Sequence, residues 1–192
     1  MAGDEKPRIF QDGRDMMLNV AIIIVTMLVV VGFTGLCSFS PGKPEKGPVQ
    51  EVDAKAFLDL EARAVSFPVR YPQMPEGWTT NSARRSMIDN TPAPVVGWVT
   101  PDQGYIQLTQ TGAPLDDAVR GLDSHQRSFT RSEDVKGTEA EAKVFHSDDK
   151  DVRDVWAVDA GDARLLVTGA GTDDEHRDVI EAALATPPIS PR

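Results

Sequence analysis

The stretch Val95–Thr111, VVGWVTPDQGYIQLTQT, is the part of the sequence that most directly predicts the fold. Two runs rich in β-branched and aromatic residues, 95–100 and 105–111, flank the turn Pro101-Asp-Gln-Gly104. Proline presets the φ angle with which a turn begins, and glycine readily adopts positive φ. The stretch therefore predicts a β-hairpin, and with it an antiparallel sheet.

Hydrophobic periodicity and turn residues predict further elements on both sides of this hairpin. The predicted strands are 65–71, 78–87, 143–145, 152–158 and 164–169, and the predicted helices are 52–64, 114–122 and 172–185. The polar segment 124–141 predicts turns. Because strands outnumber helices and tight turns join them, the predicted fold class is α+β, a small antiparallel-sheet domain with helices packed on one face.

Two of the predicted helices carry more specific signals. In the first, Val52, Ala56, Leu60 and Ala64 recur every four residues and predict an apolar stripe. In the last, Thr172-Asp-Asp-Glu175 has the pattern of a capping box, and the stripe runs through His176, Val179, Ile180, Ala183 and Leu184. Pro187 and Pro188 prevent this helix from continuing.

A long apolar segment near the N-terminus predicts a membrane anchor. The 22 residues 16–37 contain no charged side chain, and as a helix they would extend about 33 Å, close to the hydrocarbon thickness of a bilayer. A buried core helix and a cleavable signal peptide, cut near Ser38-x-Ser40, are the alternatives. The leader before the segment is not basic, which argues against a signal peptide. We therefore expect a single transmembrane helix over 16–37.

The anchor divides the chain into five predicted segments. They are a cytoplasmic tail at 1–15, the transmembrane helix at 16–37, a Pro/Gly/Lys stalk at 38–50, a soluble α+β domain at 51–186 and a disordered tail at 187–192. Three basic residues precede the helix and two follow it closely. Since basic residues favour the cytoplasmic side, the C-terminal domain is predicted to be extracytoplasmic, at the cell membrane.

The charge of the chain bears on its partners. The net charge is −10, and from Ser38 onward there are 26 acidic and 17 basic residues. An acidic domain repels nucleic acid at long range, so no nucleic-acid partner is expected. The predicted partners are the lipid bilayer, through residues 16–37, and an envelope protein or cell-wall component.

No motif in the sequence predicts a catalytic, cofactor-binding or metal site. Gly169-Ala-Gly171 lacks the third glycine of a dinucleotide fingerprint and precedes three acidic residues, which would repel phosphate. The acidic run 148–154 lacks the central glycine and terminal glutamate of a calcium loop. The histidines His125, His146 and His176 lack the close spacing of zinc ligands. The chain is therefore predicted not to be an enzyme and to need no cofactor.

Four aromatic residues are the candidates for a binding surface. Trp78, Trp98, Tyr105 and Trp156 could floor a groove for a sugar or a peptide. Tryptophan in a small sheet is more often part of the core, which is the competing interpretation.

Several short elements, in order along the chain, resemble a known family. They are Arg14-Asp-Met16, Pro72-x-x-Pro75-x-Gly77-Trp78, Gly97-Trp-Val-Thr-Pro101-x-x-Gly104-Tyr105 with Gln110, and Val167-Thr-Gly169. In this combination the chain resembles an uncharacterised family of actinobacterial single-pass membrane proteins, the domain of unknown function 4245. The resemblance implies one N-terminal membrane helix and one extracytoplasmic domain, and it implies no activity.

Three functions are compatible with these observations. The leading hypothesis is a non-enzymatic binding or interaction module of the cell envelope, because an anchor and a stalk precede a small domain without catalytic motifs. The alternatives are a small-molecule or lipid-binding domain, which requires a concave apolar pocket, and an envelope hydrolase, which requires Ser, His and Asp or Glu to converge.

Overall fold

The predicted hairpin is part of a seven-stranded antiparallel sheet. The computed structural model of the protein describes residues 13–34 and 50–189. The strands are β1 Thr79–Ile88, β2 Thr91–Val99, β3 Tyr105–Thr111, β4 Ser128–Asp134, β5 Glu141–His146, β6 Val155–Asp159 and β7 Arg164–Gly169. The helices are α1 Gly13–Thr34, α2 Ala54–Ala64, α3 Leu115–Gly121 and α4 Asp173–Ala185. The predicted fold class, an antiparallel α+β domain, is confirmed.

The sheet consists of two meanders that meet at its centre. Its strand order is β1-β2-β3-β7-β6-β5-β4, and every neighbouring pair is antiparallel. Strands β1 to β3 form one meander and β4 to β7 the other, joined where Leu108 faces Val167. The hairpin at Pro101–Gly104 is confirmed, although positive φ falls on Gln103, at +64°, and not on Gly104. Gly104 is required by packing, since a Cβ there would lie 2.9 Å from the carbonyl oxygen of Ala170.

Helices cover both faces of the sheet. The first cluster of buried residues joins α2 and α4 to Val96, Trp98, Leu108 and Trp156. The second cluster lies on the other face, where Ala118 and Val119 of α3 pack against Ala93, Ala157 and Leu166. The prediction that all helices pack on one face was therefore wrong, because the apolar stripe of the short helix α3 buries the alternate side chains of the same strands.

Two local predictions, the apolar stripe of α2 and the strand at 65–71, were wrong because both segments have partners far along the chain. In α2 the buried face carries Ala54, Leu58, Glu61 and Ala62, whereas Leu60 is 64% exposed. Glu61 is charged and pairs with Arg85 at 2.7 Å, so the sequence did not indicate that this face of α2 is buried. The segment 65–71 is not a strand; the amide of Gln110 instead bonds both the backbone N–H and the carbonyl of Arg70, each at 2.7 Å.

Strand β4 was missed in the segment predicted to form turns. It is the edge strand of the sheet, and its side chains are exposed except for that of Glu133, which is half-buried. A strand buried on neither face shows no apolar alternation, so the sequence carried no periodic signal. The helix α4 and its capping box, by contrast, are confirmed, with Thr172 and Glu175 bonding each other's backbone N–H groups.

The predicted boundaries of the five segments stay predictions, and the structure shows a coarser division. The chain divides into two units, residues 1–47 and 48–192. In the first, α1 is a helix from Gly13 to Thr34, but no helix in the described part of the chain combines the length and apolar character needed to cross a membrane. The predicted transmembrane helix over 16–37 is thus not supported, and its residues 35–37 lie outside the described ones.

The remaining segment predictions lie mostly outside the described residues. These are the tail at 1–15 up to residue 12, the stalk up to residue 49 and the C-terminal residues 190–192. Ile189 belongs to the segment predicted to be disordered, yet its backbone N–H donates to the carbonyl of Val69 at 2.8 Å. This bond, together with packing against the first cluster, holds Ile189 on the domain.

Candidate functional site

The four predicted aromatic residues do not share one surface. Trp98 and Trp156 each have 1% of their surface exposed and belong to the core beneath α2 and α4. Trp78 is half-buried and packs against the same core. Tyr105 is also half-buried, but it lies on the opposite face of the sheet, since it precedes core-facing Ile106 in β3. The structure thus separates Tyr105 from the three tryptophans.

The side chain of Tyr105 lies flat across strand β2. Its hydroxyl forms a 2.7 Å hydrogen bond with the hydroxyl of Ser82 on β1, two strands away. Gly97 of β2, which pairs with Ser82, makes this crossing possible. A Cβ at Gly97 would overlap the hydroxyl of Tyr105 and lie 2.6 Å from that of Ser82. Glycine is required here by close approach.

A second polar bond crosses β2 beside the first. The guanidinium of Arg84 on β1 donates to the side-chain oxygen of Gln107 on β3 at 2.8 Å. Arg84 pairs with Val95 of β2 and Gln107 pairs with Gly97, so this bond crosses β2 diagonally. We call Ser82, Arg84, Gly97, Tyr105 and Gln107 the Tyr105 face. Its polar side chains are held by each other and are half-buried or exposed, so the face carries ordered hydrogen-bonding groups that solvent can reach.

A second cluster surrounds Trp156 on the face of the sheet that α4 covers. The ring of His176 stacks on that of Trp156, with centroids 5.6 Å apart and planes inclined by 21°. The guanidinium carbons of Arg131 and Arg177 lie 5.2 and 5.4 Å from the indole centroid, within the range of cation–π attraction. With Glu133, these residues form what we call the Trp156 cluster.

Carboxylates hold both arginines of this cluster in place. Glu133 accepts from Arg131 through one oxygen and from Arg177 through the other, both at 2.8 Å. Asp173 and Asp174 complete the pairing of Arg131 and Arg177 respectively. The hydrogen bond from Arg177, aided by that from Arg131, lowers the pKa of Glu133, and the bonds from Glu133 raise the pKa of both arginines. The cluster therefore ties α4 to the edge strand β4.

Two buried polar atoms beside this cluster have no hydrogen-bond partner among the described residues. His176 is 4% exposed; its Nδ1 lies 2.7 Å from the carbonyl oxygen of Thr172, and its Nε2 is unpaired. Because a carbonyl can only accept, Nδ1 carries the proton. One carboxylate oxygen of Glu175 is likewise unpaired, while the other accepts from the backbone N–H of Thr172.

The other two histidines lie on the surface. Nδ1 of His146 is 2.7 Å from a carboxylate oxygen of Asp154, and Ser128 is the cross-strand partner of His146. His125 lies 3.4 Å from Asp123. Within the described residues, no three His, Cys, Asp or Glu side chains are grouped so that they could hold a metal ion.

Two hollows open on the surface of the domain. The larger, of about 620 Å³, is lined mainly by charged residues of α3 and strands β5 and β6, among them Asp116, Glu141, Lys143 and Asp159. The smaller, of about 340 Å³, is lined by Ala62, Val65, Phe67, Pro188 and their neighbours. The smaller one is mostly apolar and lies at the lower end of the usual range of ligand pockets.

Tyr105 and Trp156 were candidates from the sequence, but most of the residues that surround them were not predicted. Arg131 and Glu133 fall in the segment predicted to form turns, and Ser82 and Arg84 carry no motif of their own. The sequence of β4 shows no apolar alternation, so no local signal for this strand was available. Ser82 and Tyr105 are 23 residues apart in the chain, so no local pattern predicts the hydrogen bond between them.

The fold and these clusters define a class, a small antiparallel α+β domain preceded by a separate apolar helix, with no assembled metal site among the described residues. The chain belongs to the family described as protein of unknown function (DUF4245), which it matches over residues 8–183. The resemblance seen in the sequence is thereby confirmed at the level of the family. No curated protein and no solved structure matches the chain.

Proposed function

We propose that the domain is a non-enzymatic interaction module of the cell envelope and that the Tyr105 face binds its partner. The observation that carries this proposal is the pair of hydrogen bonds that cross β2, Tyr105 to Ser82 and Arg84 to Gln107. Side chains that are ordered before binding lose less conformational entropy when a partner arrives. Tyrosine and arginine are also enriched at protein interfaces.

The charge of the domain restricts the partner. An acidic chain, at −10 overall, disfavours anionic polymers and leaves an envelope protein or an uncharged cell-wall component. Arg84 supplies local positive charge on the Tyr105 face, where it can donate to carbonyl or carboxylate groups.

Site-specific photocrosslinking in intact cells tests this proposal. A benzophenone amino acid replaces Arg84 in one variant of the full-length protein and Lys55, an exposed residue of α2, in a matched control. We expect a discrete crosslinked product at position 84 that is absent at position 55. Equal products at both positions, or none at position 84, would overturn the assignment of this face.

We further propose that α1 holds the domain at the membrane, with lipid around residues 16–37 and the C-terminal domain outside the cytoplasm. The large aliphatic side chains of α1 support this part of the proposal: Met17 is 76% exposed, Met27 and Leu28 67%, and Ile23 64%. Apolar surface of this extent is unfavourable in water and favourable in lipid.

Cell fractionation tests the anchor. We expect the full-length protein to stay with membranes through an alkaline carbonate wash and to be released by detergent. The double substitution Ile23→Arg and Leu28→Arg should release it without detergent, whereas Lys55→Glu should not. Recovery of the unchanged protein in the soluble fraction would refute the anchor, and protection of the C-terminal domain from protease added to intact cells would refute the orientation.

A small-molecule or lipid-binding role is the second candidate, and the apolar hollow of about 340 Å³ favours it. A fluorescent fatty acid is a suitable probe. If the hollow binds apolar chains, Ala62→Trp should fill it and abolish the fluorescence change.

A hydrolase is the third candidate, and the His146–Asp154 pair opposite Ser128 is the observation that favours it. Ester hydrolysis that is lost in Ser128→Ala but kept in Ser132→Ala would establish it in place of the binding role.

A further inference from the structure

The two polar residues among the described side chains of α1 lie on the same side of the helix. Asn19 and Thr26 are seven residues apart, which is close to two full turns. Ile22 and Val29 follow each of them by three residues, so the four form one stripe with the alternating three- and four-residue spacing of paired helices. We call these four residues the Asn19 stripe.

The hydrogen bonds of the two polar side chains differ. The hydroxyl of Thr26 donates to the carbonyl of Ile22 at 2.8 Å, so its hydrogen is used within the helix. The carboxamide of Asn19 is exposed and bonds to no residue in the described part of the chain. A carboxamide carries both donors and acceptors, and two copies of it can satisfy each other.

We propose that α1 pairs in parallel with α1 of a second copy of this chain along the Asn19 stripe, with the two Asn19 carboxamides bonded to each other. The inference rests on the proposed function, because it takes α1 to be surrounded by lipid. There, water is absent and an unpaired amide is unfavourable, so helices associate through such groups.

The expected partner of the Asn19 stripe is the same stripe on a second copy of the chain. Identical chains inserted with the same orientation carry Asn19 at the same depth, and a two-fold axis parallel to the helices brings equal positions together. Ile22 and Val29 then pack against their own counterparts, while Ile24 and Leu28, on the opposite side, remain in lipid.

Disulfide crosslinking of the full-length protein in membranes tests the pairing. In a Cys37→Ser background, single cysteines replace Ile22 or Val29 on the stripe and Ile24 or Leu28 as matched controls. After oxidation we expect the first two variants to form disulfide-linked dimers and the controls to remain monomers. Equal crosslinking at all four positions indicates random collision and would overturn the proposal.

Substitution of Asn19 separates its role from that of the apolar residues. In the Ile22→Cys protein, we expect Asn19→Leu to abolish the dimer and Asn19→Gln, which keeps the carboxamide, to retain it. An unchanged dimer in Asn19→Leu, or a disulfide formed only with another protein, contradicts the proposal. Fractionation of the same samples distinguishes the two proposals: membrane-bound monomers refute the pairing alone, whereas soluble protein refutes the anchor.

Discussion

The aromatic side chains on the two faces of the sheet have different environments. On one face Trp156 is buried beneath His176 and two arginines whose charges are matched by carboxylates. On the other, Tyr105 lies half-exposed across Gly97 and bonds the hydroxyl of Ser82. Both sites contain arginine and aromatic side chains, but they differ in the partners of the arginines. Carboxylates pair with both arginines of the Trp156 cluster, whereas Arg84 on the Tyr105 face bonds the neutral side chain of Gln107.

This difference teaches that residue type alone does not identify a binding surface. The guanidiniums of the Trp156 cluster are engaged by Glu133, Asp173 and Asp174, so the cluster stabilises the contact of α4 with β4. The Tyr105 face joins strands that already pair through their backbones, and its side chains contribute little to the core. Substitutions in the cluster should therefore change stability, and substitutions on the face should change binding more than stability.

The largest expected effect follows from truncation of Trp156. We expect Trp156→Ala to lower the free energy of unfolding by about 3–5 kcal/mol, because it empties a core position and removes the support of both arginines. Urea denaturation of the full-length protein in detergent, followed by circular dichroism, measures this. Trp78→Ala, at a half-buried position, is the control, and it should lower the free energy of unfolding by less. Equal losses in the two variants would contradict a special role of Trp156 in stability.

Gly97→Ala comes next and acts through Tyr105. The added methyl group overlaps the tyrosine hydroxyl, and we expect a loss of about 1–3 kcal/mol in the free energy of unfolding. In a Tyr105→Ala background only the hydroxyl of Ser82, the end of a side chain that can rotate away, remains close to the added methyl group, so the same substitution should cost less. A double-mutant cycle by urea denaturation measures this coupling; identical costs in both backgrounds would show that Tyr105 does not lie against Gly97.

The pH dependence of stability reports on Glu133. Its pKa is lowered below the ordinary value of 4.5, chiefly by the hydrogen bond from Arg177. A lowered pKa in the folded state stabilises the protein above the ordinary pKa, and this contribution disappears as the pH falls through the folded pKa. We expect Glu133→Gln to cost about 1–2 kcal/mol at pH 7.

That cost should shrink as the pH falls through the lowered pKa of Glu133, because the wild-type carboxyl then becomes protonated as well. Denaturation midpoints of the two proteins between pH 3 and pH 7 provide the measurement. Asp102→Asn, at an exposed position in the β2–β3 turn, serves as the control. A difference between wild type and Glu133→Gln that does not change with pH would rule out the charged contacts as its cause.

The smallest expected effect on stability belongs to Tyr105→Phe. The substitution removes one partly exposed hydrogen bond to Ser82 and should cost about 0.5–1 kcal/mol. It should nevertheless weaken crosslinking at position 84, because the hydrogen bond that helps to order the Tyr105 face is lost. Ser82→Ala is expected to have the same two effects, and a large loss of stability in either variant would place the Tyr105 face with the core instead.

Local signals predicted much of the fold. The β2–β3 turn, the β6–β7 hairpin and the capping box of α4 each depend on residues within a few positions of one another, and all three are confirmed. The buried stripe of α4 was also predicted, apart from Glu175, because a helix of 13 residues repeats its apolar spacing often enough to be recognised.

Other features had no local signal. The burial of Glu61 depends on Arg85, which is 24 residues away, and the backbone of Arg70 is satisfied by a side chain 40 residues away. Strand β4 forms because β5 offers it an edge and because Arg131 and Glu133 reach partners on α4. A sequence pattern cannot encode partners that lie so far along the chain.

By itself the sequence determined the family, the α+β class, the position of its central hairpin and the separate apolar helix near the N-terminus. Only the tertiary structure decided that α3 covers a face of its own, that Trp98 and Trp156 belong to the core, and that Tyr105 reaches Ser82 across Gly97. The physical reason is that turns, caps and periodicity act between neighbours in the chain. Burial and cross-strand contact depend instead on which distant segment of the chain packs against a residue and excludes water from it.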